Sequence, residues 1–163
     1  MSLAPGELKP GDRAPDFTLP SDGDGTVTLS QLKGKKVVLY FYPKDDTSGC
    51  TAEACAFRDM FPDFDGAGAA VVGVSKDKVA AHDKFKNKYA LPFPLASDAG
   101  SDVCERYGVW VEKSMYGRKY MGIERSTFLI DETGTIRGVW RKVKVGGHAA
   151  EVLKAVRALP SPA

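Results

Sequence analysis

The run Val37-Val38-Leu39-Tyr40-Phe41-Tyr42-Pro43-Lys44-Asp45-Asp46-Thr47-Ser48-Gly49-Cys50-Thr51-Ala52-Glu53-Ala54-Cys55 reads as a strand, a loop and the start of a helix. Val37 to Phe41 is apolar on both faces, as a central parallel strand is. Pro43 closes the strand and fixes the chain's path into the loop. The helix is expected to start near Cys50 or Thr51, with Ala54, Phe57 and Phe61 as its buried stripe. Cys50 therefore falls where a loop becomes a helix, at the edge of a buried strand. The unpaired N–H groups of a first helical turn favour negative charge. A thiol there is biased towards thiolate, the nucleophilic form. Thr47, three residues earlier, offers a hydroxyl that can both donate and accept.

Outward from this run the chain alternates strands and helices. On the N-terminal side, Met1 to Pro15 is rich in Pro and Gly and reads as extended over the surface. Phe17 to Leu19 and Thr26 to Leu29 flank Ser21-Asp22-Gly23-Asp24-Gly25 as a hairpin. The two aspartates form too short a loop for calcium, and lack its bidentate Glu. Ser30 caps a single turn ending at Gly34. On the C-terminal side, Pro62 ends or kinks the helix because its ring clashes with the carbonyl of Arg58. Ala70 to Ser75 is a second buried strand, and Asp77 is expected to cap a helix running to Tyr89. Leu91 to Leu95 is extended by its prolines, and Asp102 to Tyr107 is a short helix. Val109 to Met121 is a mixed segment without a clear period. Arg125 to Ile130 is a third strand, Asp131 to Gly134 a turn, and Ile136 to Val143 its antiparallel return. Val152, Leu153, Val156 and Leu159 mark a last helix from Gly147. The order β-α-β-α followed by β-β-α implies an α/β domain whose mixed sheet has helices on both faces.

Composition narrows the function classes. The 163 residues suit one domain, residues 1–163, with about 1–10 and 160–163 as flexible ends, and a 43% hydrophobic content supports a sizeable core. Net charge is +2 with both signs mixed, which argues against a nucleic-acid surface. Lys33 to Lys36, Arg118-Lys119 and Arg141 to Lys144 read as solvated faces. No apolar run approaches the roughly 20 residues of a membrane span. The N-terminus shows no signal-peptide pattern, so a cytoplasmic location is the expectation. There a cysteine pair is more often catalytic or redox-sensing than structural. Cys104 has no motif around it and reads as buried and structural. His82 and His148 read as core or surface histidines. No phosphate loop, haem motif or zinc spacing is present, so neither cofactor nor metal is expected.

The order Pro43-x-x-x-Thr47-x-x-Cys50 is the active-site motif of peroxiredoxins, which the chain resembles. The longer string Tyr42-Pro43-Lys44-Asp45-Asp46-Thr47-x-Gly49-Cys50-Thr51, with Cys55 five residues on, is similar to the bacterioferritin-comigratory or peroxiredoxin Q group. The resemblance runs from Gly11-Asp12-Arg13-Ala14-Pro15-Asp16-Phe17 through Arg125-Ser126-Thr127-Phe128-Leu129-Ile130-Asp131. It implies a thioredoxin-like fold with an N-terminal hairpin extension. It also implies a peroxidase that reduces hydrogen peroxide and organic hydroperoxides, and electrons from thioredoxin or a similar dithiol protein. The group usually has proline where this chain has Ser48. A serine there frees the backbone and can cap the helix starting just after it.

The chemistry asks for a reactive thiolate, a group that positions the peroxide and a cation beside the leaving oxygen. The motif loop offers only Lys44. Arg125, at the head of its strand, matches the family's arginine and can donate two hydrogen bonds at once. Glu53, expected on the first turn, can hold Arg125 in place. Attack on peroxide leaves Cys50 as a sulfenic acid, which condenses with a nearby thiol, and Cys55 is the resolving candidate. On an ideal helix residues five apart have Cα atoms roughly 8.7 Å apart and side chains about 140° apart around the axis. A disulfide needs less than about 7 Å. A Cys50–Cys55 bond therefore demands that the first turns unwind, and the small Ala52, Ala54 and Ala56 are expected to leave them lightly anchored. Such a pairing lies within one chain and suits a monomer. The alternatives are a thiol–disulfide oxidoreductase of the same fold, which would carry Cys-x-x-Cys, and a non-catalytic redox-sensing module.

Overall fold

The computed structural model describes residues 8–160. Its centre is a seven-stranded sheet in the order β2-β1-β5-β4-β3-β8-β9. The strands are β1 (Thr18–Ser21), β2 (Gly25–Thr28), β3 (Lys36–Phe41), β4 (Ala69–Ser75), β5 (Leu95–Ser97), β8 (Ser126–Ile130) and β9 (Ile136–Trp140). β3, β4 and β5 are parallel; β8 and β9 continue antiparallel on one side, and the β1–β2 hairpin joins β5 antiparallel on the other. The mixed sheet and the N-terminal hairpin are thus as the sequence implies. A separate two-stranded ribbon is formed by β6 (Trp110–Met115) and β7 (Arg118–Ile123).

The period of the central strand divides the core in two. Val37, Leu39 and Phe41 face a cluster with Phe17, Cys104, Tyr107 and Phe128. Val38, Tyr40 and Tyr42 face the other cluster, with Cys50, Phe57, Phe64, Phe85 and Val152. Against this second face lie α1 (Ser48–Asp59), α2 (Phe61–Gly66), α3 (Val79–Tyr89) and α5 (His148–Ala158); the short α4 (Val103–Arg106) covers the first. Aromatic rings carry much of this packing. Tyr40 stacks on Phe57 at 4.8 Å between centroids. Each buried ring of this size contributes roughly 1.5–3 kcal/mol by removal from water.

Several local expectations are corrected. α1 begins at Ser48, so Ser48 is its first residue rather than its cap; Thr47 is the N-cap, without a side-chain capping bond. Asp77 does not cap α3, whose N-cap is Lys78; its carboxylate instead accepts from Ser75 Oγ and from Asp45 N. The first helix does end before Pro62, which falls in the first turn of α2, where its missing N–H costs nothing, but Phe61, expected in the buried stripe of α1, opens α2 and is only half-buried. The segment without a period, 109–121, is the β6–β7 ribbon. Its turn is built by Tyr116 and Gly117 at φ of 51° and 78°, the left-handed geometry of a two-residue hairpin. Lys36 is buried rather than solvated, and its Nζ donates to the Val156 and Leu159 carbonyls at the end of α5. Leu8 is buried and residues 11–14 bond to the segment 134–136, so the N-terminal tie begins earlier than residue 10. The remaining flexible-end expectations, residues 1–7 and 161–163, lie outside the described residues.

Candidate active site

Sheet register brings the predicted residues to one end of the molecule. Phe41, the last residue of β3, pairs with Ser126, the first of β8. Arg125 therefore emerges beside the loop that leaves β3. Its guanidinium donates from Nη2 to Cys50 Sγ at 3.3 Å and from Nη1 to Glu53 Oε1 at 2.6 Å. Gly49 makes room for this approach, since a Cβ there would stand 3.1 Å from Arg125 Nη2. Cys50 and Glu53, one helical turn apart, are each 1% exposed and point inward. Glu53 lies in the second turn, because α1 starts earlier than expected. Its relation to Arg125, not to the helix dipole, accounts for its position.

The electrostatics of this group are those of one partly exposed cation between two buried acids. Burial pushes the Glu53 carboxyl up to about 7, against the opposing pull of Arg125. Burial also works against the charge of Arg125, but Glu53 and Cys50 outweigh it and hold the guanidinium more firmly protonated. Glu53 Oε2 is buried and has no hydrogen-bond partner among the described residues, and neither has the nearby Tyr40 hydroxyl.

The loop before α1 is pinned from α3. His82, fully buried, meets Asp45 Oδ2 through Nδ1 at 2.6 Å and the Ala96 carbonyl through Nε2 at 3.0 Å. Burial lowers the affinity of His82 for a proton, but the Asp45 carboxylate overcomes it and the net shift is upward. Tyr42 hydroxyl donates to Asp45 Oδ1 at 2.5 Å. Asp46, at φ 60°, accepts from Lys88 Nζ and Tyr89 hydroxyl, each at 2.9 Å. Asp45, Asp77 and His82 could geometrically surround a metal. Their ligand atoms are already engaged in these internal bonds, so the trio is a loop anchor. His82 is the core histidine expected, but its tie to the loop had no sequence signal: the partners are 37 residues apart.

Thr47 is exposed, and its hydroxyl donates to the Lys44 carbonyl at 2.9 Å. Pro43 borders an open groove of about 360 Å³ together with Lys44, Trp110, Lys113, Tyr120 and Met121. A cavity of about 370 Å³ at the opposite end of the sheet, beside Arg13, Lys33, Ile130 and Asp131, contains no cysteine. Cys55 is half-buried and shares α1 with Cys50; all three cysteines are free. The small residues do not all leave α1 loose. Ala52 is exposed and Ala56 half-buried, but Ala54 is fully buried, and the Glu53–Arg125 pair fastens the same turn. Cys104 is buried as expected, as is His148, which meets Thr127 Oγ1 at 2.8 Å.

Known proteins share both sequence and fold. Residues 10–139 match the AhpC/TSA family. The chain is 60% identical over 146 residues to the Coxiella burnetii peroxiredoxin bcp, covering 90% of this chain and 97% of that one. It is 51% identical over 147 residues to peroxiredoxin Bcp of Bacillus subtilis, covering 90% and 94%. Among solved structures, a cysteine-to-serine mutant of Xylella fastidiosa PrxQ superposes with a TM-score of 0.89 at 42% identity, covering 94% of this chain and 98% of that one. The Xanthomonas campestris bacterioferritin comigratory protein, described for its alkyl peroxide reduction activity, gives 0.83 at 46% identity, covering 87% and 90%. No helix among the described residues is long and apolar enough to cross a membrane. With that sheet, that motif and these relatives, the chain belongs to the AhpC/TSA family and is a thioredoxin-fold peroxiredoxin of the Bcp/Q group, a thiol-dependent peroxidase.

Proposed function

We propose that Cys50 is the peroxidatic cysteine and Cys55 its resolving partner, in a cycle that reduces hydrogen peroxide and organic hydroperoxides at the expense of thioredoxin or a similar dithiol protein. The observation that carries this reading is the Arg125 guanidinium 3.3 Å from a buried cysteine sulfur in the first turn of a helix. A guanidinium keeps its charge, so it stabilises the thiolate and then the charge that develops on the departing oxygen. The Thr47 hydroxyl already donates its hydrogen bond to the Lys44 carbonyl. Its oxygen is left to accept the O–H of an incoming peroxide and aim the nearer oxygen at Cys50. Pro43 shapes the rim of the loop.

The thiolate attacks that oxygen, the O–O bond breaks, and the other oxygen leaves as hydroxide or alkoxide and is protonated. Cys50 becomes a sulfenic acid, and condensation with the Cys55 thiol releases water. Because both cysteines lie in the unbroken helix Ser48–Asp59, α1 must unwind at its N-terminal end before the bond forms. A thiol–disulfide oxidoreductase has less support, since Cys50 and Cys55 do not form a standing pair in the folded helix. Free thiols suit a reducing cytoplasm, and a pairing within one chain requires no second copy. Replacement tests the assignment. Cys50→Ser is expected to abolish peroxide consumption, whereas Cys55→Ser keeps one turnover and loses thioredoxin-linked cycling. Normal cycling by Cys55→Ser would remove Cys55 from the resolving role.

A further inference from the structure

One guanidinium serves two acids at this site. Arg125 reaches Cys50 Sγ with one nitrogen and Glu53 Oε1 with another. Both acids are withdrawn from water, so charging both at once leaves two anions on one cation where solvent screens little. Glu53 Oε2 adds to the imbalance, since no donor among the described residues meets it. A buried carboxylate oxygen without a donor is costly, and the neutral acid is cheaper. The other polar and charged groups that feel Arg125 do not correct this. Tyr40, on β3, contributes a neutral hydroxyl. His148, at the start of α5, is held below its ordinary value by burial, against the pull of Glu151 and with a further push from Arg125. Lys113, on β6, has its proton affinity lowered first by burial and then by the same arginine, with Cys50 and Glu124 pulling the other way.

We propose that Glu53 and Cys50 share one proton across Arg125, with Glu53 neutral while Cys50 is thiolate and Glu53 ionised once Cys50 has been oxidised. The proposal deepens the peroxidase reading and rests on it. Its balance is simple. The thiolate takes the OH of RO–OH, the sulfenic acid forms and RO⁻ leaves with the electron pair of the O–O bond. RO⁻ takes up one proton to become ROH, and Glu53, now facing Arg125 without a rival anion, releases one. Net proton uptake is zero. On reduction, the new Cys50 thiol passes its proton to the Glu53 carboxylate and the thiolate is restored. The burial-driven rise of Glu53 to about 7 is in keeping with this exchange near neutral pH. Glu53 acts here through Arg125, as a positioning and proton-holding residue, without touching peroxide.

The test is a proton count. Fully reduced protein is mixed with one equivalent of hydrogen peroxide in weakly buffered solution near neutral pH, with an indicator dye, and Cys50 oxidation is followed in parallel by mass spectrometry. Wild type is expected to take up almost no protons per Cys50 oxidised, and Glu53→Gln close to one, because the amide keeps a hydrogen bond to Arg125 but has no proton to give. Equal uptake by the two proteins, whether none or one, overturns the proposal. Should Glu53→Gln fail to fold, infrared difference spectra of wild type decide the matter. The carboxylic-acid band of a buried acid must be present in the reduced protein and lost on oxidation; no change in that band contradicts the sharing. Absence of any Cys50 oxidation would instead sink the peroxidase reading itself.

Discussion

Cys50 and Cys104 invite comparison because they have so much in common. Both lie in the first turn of a helix, Cys50 in α1 and Cys104 in α4, and both are almost fully buried, at 1% and 0% exposure. Their neighbours carry opposite charge. Cys50 faces the Arg125 guanidinium. Cys104 faces Asp98, a buried carboxylate that accepts from the Val103 and Cys104 N–H groups at 3.1 and 2.8 Å. Asp98 occupies the helix end that would otherwise favour a thiolate. Burial pushes the Cys104 thiol up, Asp98 pushes it further, and it stays protonated. If Cys50 is the peroxidatic thiol proposed above, neither burial nor a helix start decides reactivity; the sign of the nearest side-chain charge does.

The contrast is sharpest in peroxide turnover. Cys50→Ser should lose all of it and Cys104→Ser none, as read by peroxide consumption with a saturating dithiol reductant. A large loss in Cys104→Ser would break the comparison. Arg125→Met should come next. Removing a preorganised charge donor costs about 10²–10³-fold in the step it serves, measured as the rate of Cys50 oxidation in a single turnover. Gly49→Ala makes the same point by displacement. The added methyl would press on Arg125 Nη2 from 3.1 Å. A shift of this kind costs up to about 10²-fold in the same rate, while Cys104 alkylation in unfolded protein stays unchanged.

Other consequences concern the frame around Cys50. His82 has a raised proton affinity in the folded state through Asp45. A group whose value is raised on folding lends stability that is complete below its ordinary value of 6.5 and fades as pH rises through the raised one. Thermal unfolding should therefore show a loss over that window, which His82→Gln removes. The smallest effect expected is a gain. Ser48 holds the first helical position, where proline is well tolerated, and Thr47 before it is already extended, at φ −84° and ψ 157°. Ser48→Pro should add about 0.4–1 kcal/mol by restricting the unfolded chain, seen as a higher denaturant midpoint with an unchanged slope.

What the sequence made legible follows from how local each signal is. Val37 to Phe41, the loop and α1 are contiguous, and the motif fixes Pro43, Thr47 and Cys50 by spacing alone. Arg125 was legible as a strand head with a family match, but its distance from Cys50 depends on the register of β8 against β3. Asp77 looked like a helix cap and became a loop anchor, because Ser75 and Asp45 compete for its oxygens through tertiary contacts. The β6–β7 ribbon carries no such local signal, since Tyr116 takes a left-handed conformation that its residue type does not announce. The Asp45–His82 tie and the orphaned Glu53 oxygen are long-range facts, without a local pattern to betray them.

The most direct measurement is stopped-flow fluorescence of the reduced protein mixed with hydrogen peroxide, using Trp110 and Trp140 as reporters, with mass spectrometry of the product. The account predicts a fast change, the loss of two hydrogens and a Cys50–Cys55 crosslink, which the intact α1 cannot accommodate. A crosslink through Cys104, or no oxidation of Cys50, would contradict it.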